Sequence, residues 1–456
     1  MRFHSKPIDE HAEVPLADEG YFEDLTTRWD ARRTGARTAA AEGNACYILS
    51  VVRGRSFTAE AQLEEIKGLV EAQGDRIVGS ESQRLHETDP RTFIGSGIAA
   101  RVADAAAACG ADMLVLDAEL TPSQTRNLED AVGLPICDRE AVILNVFERH
   151  ATTPRSRIQV EIAHLQYLRP RLRGIGLNMD QQAGGVMGSR GAGDTASELF
   201  ARRMDGRLAE LRRRLTRLEV SGRTQRQRRS NCARMVLVGY TNAGKTSLMN
   251  ALTAADLSVR DRPFETLDTT SRCLSRHGGD VLLSDTVGFI RDLPERLYAS
   301  FETTLAEVVE ASLLVVVLDV SDPEYEQHLR ATDVVLERLG SGDVPRFVVF
   351  NKADRCASLD REVLRRVAGN APFGVVSTRG TRSVAKLRKR LLCVARARHR
   401  TREVFVPYTH AALTARIYAH CRVLRVTAVE TGTQFVIEGH PRVVDDIASA
   451  AKRRTP

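Results

Sequence analysis

A phosphate-binding loop is the clearest chemical feature of the sequence. The pattern GxxxxGK[ST] is matched by eight consecutive residues: Gly239, Tyr240, Thr241, Asn242, Ala243, Gly244, Lys245 and Thr246. An apolar strand precedes the loop and a helix from Ser247 follows it, which is the context that the pattern requires. In such a loop the backbone N–H groups hold phosphates, Lys245 reaches the β and γ phosphates, and the Thr246 hydroxyl binds Mg²⁺. The eight loop residues, together with Ser247, predict a nucleotide site with a magnesium ion.

A second motif, DxxG, follows another short apolar strand and spans residues 285–288. Asp285 can hold Mg²⁺ through a water molecule, and the Gly288 N–H can meet the γ-phosphate. We therefore predict Thr246 and Asp285 as metal-binding residues, and Lys245 and Gly288 as catalytic residues.

The third motif, NKxD, is formed by Asn351, Lys352 and Asp354 directly after an apolar strand. This motif selects the base, because a carboxylate at Asp354 accepts hydrogen bonds from two adjacent N–H donors of guanine and would meet an acceptor of adenine. Residues 375–378 form the end of a further predicted strand, and Ser377 and Thr378 stand where GTPases contact the guanine oxygen. The three motifs, in this order, predict GTP and GDP as the ligands.

The segment 264–271, between the P-loop and DxxG, occupies the position of the first switch of a GTPase. We predict Phe264 at the nucleotide site and Thr266 as the residue that closes on Mg²⁺ and the γ-phosphate, in both a metal-binding and a catalytic role. Thr270 is the alternative for that role.

Two positions bear on the rate of hydrolysis. Phe289 stands directly after DxxG, where many GTPases place a glutamine that orients water; a phenyl ring cannot polarise water, so we expect slow intrinsic hydrolysis. Asn242 could help to coordinate a monovalent cation such as K⁺ beside the phosphates, or it could only stabilise the turn. The sequence leaves both interpretations open.

The elements that position these residues predict an α/β fold. Alternating strands and helices after residue 43 are typical of a small, mostly parallel sheet. We expect a P-loop GTPase domain, an N-terminal α/β domain with a long helical hairpin, and a small C-terminal α/β domain. The predicted boundaries are a poorly ordered tail over 1–42, the βα domain over 43–150, the hairpin with a glycine-rich loop over 151–230, the GTPase domain over 231–400 and the C-terminal domain over 401–456.

The second helix of the hairpin carries an apolar seam with alternating spacings of four and three residues, typical of a coiled coil. The seam consists of Phe200, Met204, Leu208, Leu211, Leu215 and Leu218. Arginines fall outside it, which predicts a cationic outer face.

The net charge of +7 conceals two concentrated basic stretches. Residues 201–230 hold 11 arginines and three acids, and residues 379–402 hold ten basic residues and no acid, so the rest of the chain is net negative. This pattern is expected of a surface that meets a polyanion, although solvated helix faces would also account for it.

Composition excludes several classes of protein. No apolar run approaches the ~18 residues of a membrane span, and the N-terminus lacks an apolar signal segment, so we expect a soluble, cytoplasmic and monomeric protein without membrane insertion. The eight cysteines never form a CxxC pair, which disfavours a zinc ribbon or a disulfide framework and predicts reduced, mostly buried thiols.

The sequence resembles the HflX-type ribosome-associated GTPases from about residue 47 to residue 392. The resemblance rests on the P-loop, on residues 264–271 and on the sequence DTVGFIRDLP over 285–294. Upstream, residues 89–95, residues 120–129 and the glycine-rich loop resemble the N-terminal domain of that family.

The resemblance implies a GTPase that binds the large ribosomal subunit and its rRNA and separates or rescues stalled or idle ribosomes under stress. It also implies hydrolysis assisted by K⁺ through Asn242. The first switch and the hairpin tip differ from the family pattern, so the chain is either the housekeeping member or a specialised paralogue. An RNA-binding regulatory GTPase, or a GTPase of tRNA modification or ribosome biogenesis without ribosome splitting, remains the alternative.

Overall fold

A computed structural model describes residues 43–53, 57–172, 196–228, 232–253, 263–264, 269–274, 281–397, 399–439 and 441–452. The predicted tail over 1–42 and the glycine-rich loop over 183–195 lie outside the described residues.

Thirteen strands are present in the described part of the chain. They are β1 (Ala45–Val52), β2 (Arg76–Arg84), β3 (Met113–Asp117), β4 (Ile136–Asp138), β5 (Ala233–Val238), β6 (Thr270–Cys273), β7 (Val281–Asp285), β8 (Leu313–Asp319), β9 (Arg346–Asn351), β10 (Phe373–Val375), β11 (Arg400–Pro407), β12 (Arg422–Val429) and β13 (Gly432–Gly439).

The α-helices of the same described residues also number thirteen. They are α1 (Ala59–Gln73), α2 (Ser96–Ala108), α3 (Pro122–Val132), α4 (Arg139–His150), α5 (Pro154–Leu172), α6 (Ala196–Arg228), α7 (Lys245–Thr253), α8 (Glu295–Val309), α9 (Tyr325–Arg338), α10 (Arg361–Ala368), α11 (Thr381–Arg396), α12 (Ala411–His420) and α13 (Pro441–Lys452).

The chain divides into two compact units. The first contains the residues up to Val51 and Gly74–Asp138. Its sheet has the order β2-β1-β3-β4, with β1, β3 and β4 parallel. Helix α3 is capped by Thr121, whose side chain accepts a hydrogen bond from the Gln124 N–H in a capping box.

The second unit contains Val52–Gln73, which includes α1, and the chain from Arg139 onward. Its main sheet has the order β10-β9-β8-β5-β7-β6 and is parallel except for β6. The strands of its centre are almost continuously apolar because helices cover both faces of a parallel sheet. The carboxyl ends of β5, β7 and β9 lead directly into the P-loop, DxxG and NKxD. The predicted α/β fold with a P-loop GTPase domain is therefore confirmed.

The helical hairpin consists of α5 and α6. Met204, Leu208 and Leu211 of the predicted seam are at most 5% exposed, but Leu218 is 39% exposed. The prediction of a seam that continues to Leu218 was therefore wrong. Ion pairs of Glu161 with Arg207 and of Arg169 with Asp205 show that the helices run in opposite directions, so α6 passes the start of α5 shortly after Leu211.

The C-terminal elements form a three-stranded antiparallel sheet in the order β11-β13-β12. Its core joins Val404, Phe435 and Ile437 of the sheet to Ile417 and Val444 of helices α12 and α13. This small α/β arrangement agrees with the architecture predicted for the end of the chain.

The eight cysteines are all free, and three of them, Cys46, Cys137 and Cys421, are buried. The prediction of mostly buried thiols was therefore wrong. None of the described helices has the length and apolar character needed to cross a membrane.

Candidate nucleotide site

Two glycines shape the P-loop after β5. Gly239 has a φ of +144°, and a Cβ there would lie 2.3 Å from the Val317 carbonyl oxygen. Gly244 has a φ of +84°, and its Cβ would lie 2.4 Å from Nδ2 of Asn351. Both backbone conformations and both close approaches require glycine. The loop is thereby packed against β8 and against the NKxD motif.

Lys245, at the start of α7, is 6% exposed. Its Nζ donates hydrogen bonds to the carbonyl oxygens of Gly239 (3.1 Å) and Tyr240 (2.7 Å), so the ammonium lies inside the P-loop. Burial lowers the pKa of Lys245 to about 8, and the nearby Asp285 carboxylate opposes that shift. The role of Lys245 at the β and γ phosphates remains a prediction.

The two predicted magnesium ligands lie together. The Thr246 hydroxyl donates to Oδ2 of Asp285 at 2.6 Å, and Asp285 is fully buried at the end of β7. A hydroxyl and a carboxylate are the hard oxygen donors that Mg²⁺ prefers, so the residues fit the ion. Magnesium bound there would neutralise charge on the nucleotide phosphates. The third predicted ligand, Thr266, lies outside the described residues.

The DxxG segment is fixed to the sheet and to the P-loop. Thr286 is buried and its hydroxyl donates to the Leu237 carbonyl oxygen at 2.8 Å. A Cβ on Gly288 would lie 3.0 Å from Nζ of Lys245, so the residue predicted to bind the γ-phosphate lies beside the lysine predicted to be catalytic. Phe289 is 1% exposed and therefore supplies no polar group to a water molecule.

The guanine end of the site is built from NKxD and the loop after β10. Asn351 donates from Nδ2 to the Ala243 carbonyl oxygen at 3.0 Å, which connects the motif to the P-loop. Lys352 has a φ of +55°, and its Nζ pairs with Oδ2 of Asp319 at 2.7 Å. The Ala353 N–H donates to the Val376 carbonyl oxygen at 3.2 Å, so the two guanine loops lie side by side.

Asp354 carries the predicted base selectivity. A hydrogen bond from Ser377, helped by the charge of Arg379, holds the pKa of the Asp354 carboxyl below its ordinary value. The Arg379 guanidinium lies 3.7 Å from its Oδ2. The carboxylate is therefore ionised at neutral pH and can act as the acceptor for guanine N–H groups. Strand β10 ends at Val375, so Ser377 and Thr378 lie in the loop and not in the strand that we predicted.

The first switch is described only in part. Phe264 is buried, has a φ of +57° and packs edge-on against Phe147 of α4, with ring centroids 4.5 Å apart. Its role at the nucleotide, like that of Thr266, remains a prediction.

One further residue contacts the P-loop without belonging to any of the motifs. Glu65 of α1 accepts a hydrogen bond from the Tyr240 hydroxyl of the P-loop. A glutamate in an amphipathic helix has no sequence signal that distinguishes it from a surface residue, so only the structure could place it here.

We expect Gly244→Ala to destabilise the protein by about 1–3 kcal/mol, because the positive φ and the contact with Asn351 both oppose a Cβ. Thermal unfolding measures this loss. Gly206→Ala is the matched control: Gly206 is exposed on α6 with open space around its Cβ position, so alanine there should leave stability unchanged or raise it by up to ~1 kcal/mol. Equal melting temperatures for the Gly244 variant and the native protein would contradict the prediction.

The fold, with the P-loop, DxxG and NKxD motifs at one edge of its main sheet, makes the protein a P-loop GTPase, which binds GTP and GDP and hydrolyses GTP. Three family models match the chain in the order of its domains. They are described as GTP-binding GTPase N-terminal (residues 60–148), GTP-binding GTPase Middle Region (residues 150–229) and 50S ribosome-binding GTPase (residues 234–352).

Relatives that align with most of the chain show which family it belongs to. GTPase HflX of Gluconacetobacter diazotrophicus is 37% identical over 422 residues, which cover 84% of this chain and 92% of the relative. GTPase HflX of Escherichia coli is 36% identical over 306 residues, covering 66% and 72%. The chain belongs to the HflX family of GTPases, as the resemblance predicted. A solved structure of a GDP complex, named SsGBP, aligns with 77% of this chain and 98% of its own, at 21% identity and a TM-score of 0.45.

Proposed function

We propose that this GTPase binds the large ribosomal subunit through its rRNA and couples GTP hydrolysis to the separation or rescue of stalled or idle ribosomes. The family model that matches the GTPase domain is described as a 50S ribosome-binding GTPase, which supports the partner. Family membership supports the coupling to hydrolysis.

The observation that carries the proposal is the arginine face of α6. Arg212, Arg213 and Arg217 are exposed and make no ion pair with any residue that the structure describes. Arg207, in contrast, pairs with Glu161 of α5 at 2.7 Å. Arginines that lack acidic partners favour phosphate binding over the alternative of a solvated helix face.

A second basic surface lies on α11. Its exposed side chains are Arg382, Lys386, Lys389 and Arg390. Arg382, Lys386 and Lys389 lie on the side of the helix away from Leu387 and Leu391, which are buried in the core of the GTPase domain. The Arg390 guanidinium lies over the ring of Phe347, 5.3 Å from its centroid. This surface gives the GTPase domain itself a place to contact RNA phosphates.

Sedimentation with purified ribosomal subunits tests the partner. The protein loaded with a non-hydrolysable GTP analogue should migrate with the large subunit, and failure to do so would refute the proposal. Binding to free RNA without binding to the subunit would instead support an RNA-binding regulatory GTPase. Light scattering of intact ribosomes tests separation, which should appear as a GTP-dependent loss of scattering.

Neutralising the α6 arginines should weaken binding and flatten its salt dependence. Each phosphate contact contributes about 0.7–0.9 to the slope of log affinity against log salt, so Arg212→Gln, Arg213→Gln and Arg217→Gln together should reduce the slope by about 2–3. The matched control replaces Arg101, Arg330 and Arg422, three exposed arginines that are paired with acids, and removes the same total charge. Equal slopes for the two triple variants would restore the interpretation of a solvated face.

The proposal extends to potassium. Asn242 has a φ of +58° and lines a cavity of about 50 Å³ beside the P-loop, together with Thr241 and Asp319. Asn242 is therefore part of the P-loop wall of this cavity, which supports the proposal that it coordinates a monovalent cation.

A further inference from the structure

Glu65 belongs to α1, which precedes the P-loop in the chain. Its side chain contacts both the P-loop and the segment after DxxG. Its carboxylate accepts hydrogen bonds from the Tyr240 hydroxyl, from Nε of Arg291 at 2.8 Å and from Nη2 of Arg139 at 2.6 Å. The side chains of Glu65, Arg291 and Arg139 are 12%, 9% and 2% exposed. The Glu65 carboxylate therefore interacts strongly with the two guanidinium groups, because little water screens their charges.

The same cluster also fixes the main chain of Arg291, three residues beyond DxxG. The Arg291 N–H donates to the Tyr240 hydroxyl oxygen at 3.0 Å, and its carbonyl oxygen accepts from Nη2 of Arg139 at 2.9 Å. Burial, followed by the charge of Glu65, raises the pKa of Tyr240 well above its ordinary value, so its hydroxyl keeps the proton that it donates. The backbone N–H and the carbonyl oxygen of Arg291 are thus both hydrogen-bonded to residues, Tyr240 and Arg139, that also bond to Glu65.

The segment held in this way lies directly against the P-loop. The Phe289 N–H donates to the Gly239 carbonyl oxygen at 3.0 Å, and the Thr241 N–H donates to the Phe289 carbonyl oxygen at 2.7 Å. A Cβ on Gly288 would lie 2.9 Å from Cα of Thr241 and 3.0 Å from Nζ of Lys245. Gly288 therefore lies close to the main chain of Thr241 and to the Lys245 ammonium.

A γ-phosphate has to reach both of those groups, because its oxygens bond to the P-loop lysine and to the N–H of the DxxG glycine. A γ-phosphate that enters between Lys245 and Gly288 would require residues 288–291 to move away from the P-loop, whereas GDP makes no such demand. Any contact that holds this segment in place lowers the affinity for GTP relative to GDP.

We propose that Glu65 is a positioning residue that holds residues 288–291 against the P-loop and thereby sets the preference of the protein between GTP and GDP. The carboxylate is hydrogen-bonded both to the P-loop, through Tyr240, and to the segment after DxxG, through Arg291. A purely structural ion cluster would stabilise the fold and affect the two nucleotides equally.

Nucleotide affinity of the full chain distinguishes the two roles. Glu65→Gln and, separately, Tyr240→Phe should raise the affinity for a β,γ-imido analogue of GTP about fivefold, while the affinity for GDP changes less than twofold. Tyr240→Phe removes one hydroxyl and leaves no charge unpaired, so it decides the matter if Glu65→Gln does not fold. An unchanged ratio of the two affinities, or one that shifts toward GDP, would overturn the proposal.

Asp333→Asn is the matched control. Asp333 of α9 pairs with Arg346 at the amino end of β9, the end of that strand remote from NKxD. Its loss removes a half-buried ion pair from the same unit without touching the P-loop or DxxG. The ratio of affinities should stay at the native value in this variant; a matching shift would show that general loosening of the fold causes the effect.

Discussion

Replacing Lys245 with methionine is expected to reduce the rate of GTP hydrolysis by about 100- to 1000-fold, the loss typical when one preorganised donor to a developing charge is removed. Methionine has nearly the same length and fills the same space inside the P-loop. It cannot donate hydrogen bonds to the β and γ phosphates or neutralise them. Single-turnover hydrolysis of GTP at saturating protein measures the loss independently of nucleotide affinity.

The same variant should fold at least as stably as the native chain. Burial lowers the pKa of Lys245 from 10.5 to about 8, so the folded state binds this proton more weakly than the unfolded state. Below pH 8, the charged lysine therefore lowers the free energy of unfolding by its full amount. This destabilisation decreases as the pH rises from 8 to 10.5. Lys386→Met on the exposed face of α11 is the control and should hydrolyse GTP at the native rate. Hydrolysis within fivefold of native by the Lys245 variant would contradict its role.

The three motifs could be predicted because their residues are consecutive and each follows an apolar strand. β7 and β9 extend by one residue beyond the predicted strands, to Asp285 and Asn351. The carboxyl ends of parallel strands lie at one edge of the sheet, so motifs that are far apart in the sequence converge there. The hydrogen bond from Asn351 to Ala243, for example, joins residues that are 108 positions apart.

Features that depend on partners distant in the sequence could not be predicted. The seam of α6 repeats regularly to Leu218, but its burial depends on where α5 begins, which no periodicity in α6 records. Glu65 precedes Tyr240 by 175 residues and shares no motif with it. Glu65 contributes to the site because α1 lies close to the P-loop, and the local sequence pattern of α1 does not predict such a contact.

Replacing Asp354 with asparagine should exchange the base that the protein selects. We expect the native carboxylate to accept hydrogen bonds from two guanine N–H groups, and Ser377 and Arg379 keep it ionised. Asparagine offers one acceptor and one donor, which complements the N–H and carbonyl edge of xanthine. We expect the affinity for GTP to fall about 100-fold and that for xanthosine triphosphate to rise by a similar factor, since each buried mismatch leaves a polar group unpaired. Competition against a fluorescent nucleotide measures both.

Asp360→Asn supplies the matched control for this exchange. Asp360 is exposed six residues further on and caps α10 by accepting a hydrogen bond from the Glu362 N–H at 2.8 Å. Asparagine caps helices about as well as aspartate, so this variant loses one negative charge near the site at little cost in stability. It should retain the native preference for GTP. If the two variants shift base preference equally, the selectivity arises from the net charge of the region; a shift confined to the Asp354 variant assigns it to direct hydrogen bonds from that carboxylate to guanine.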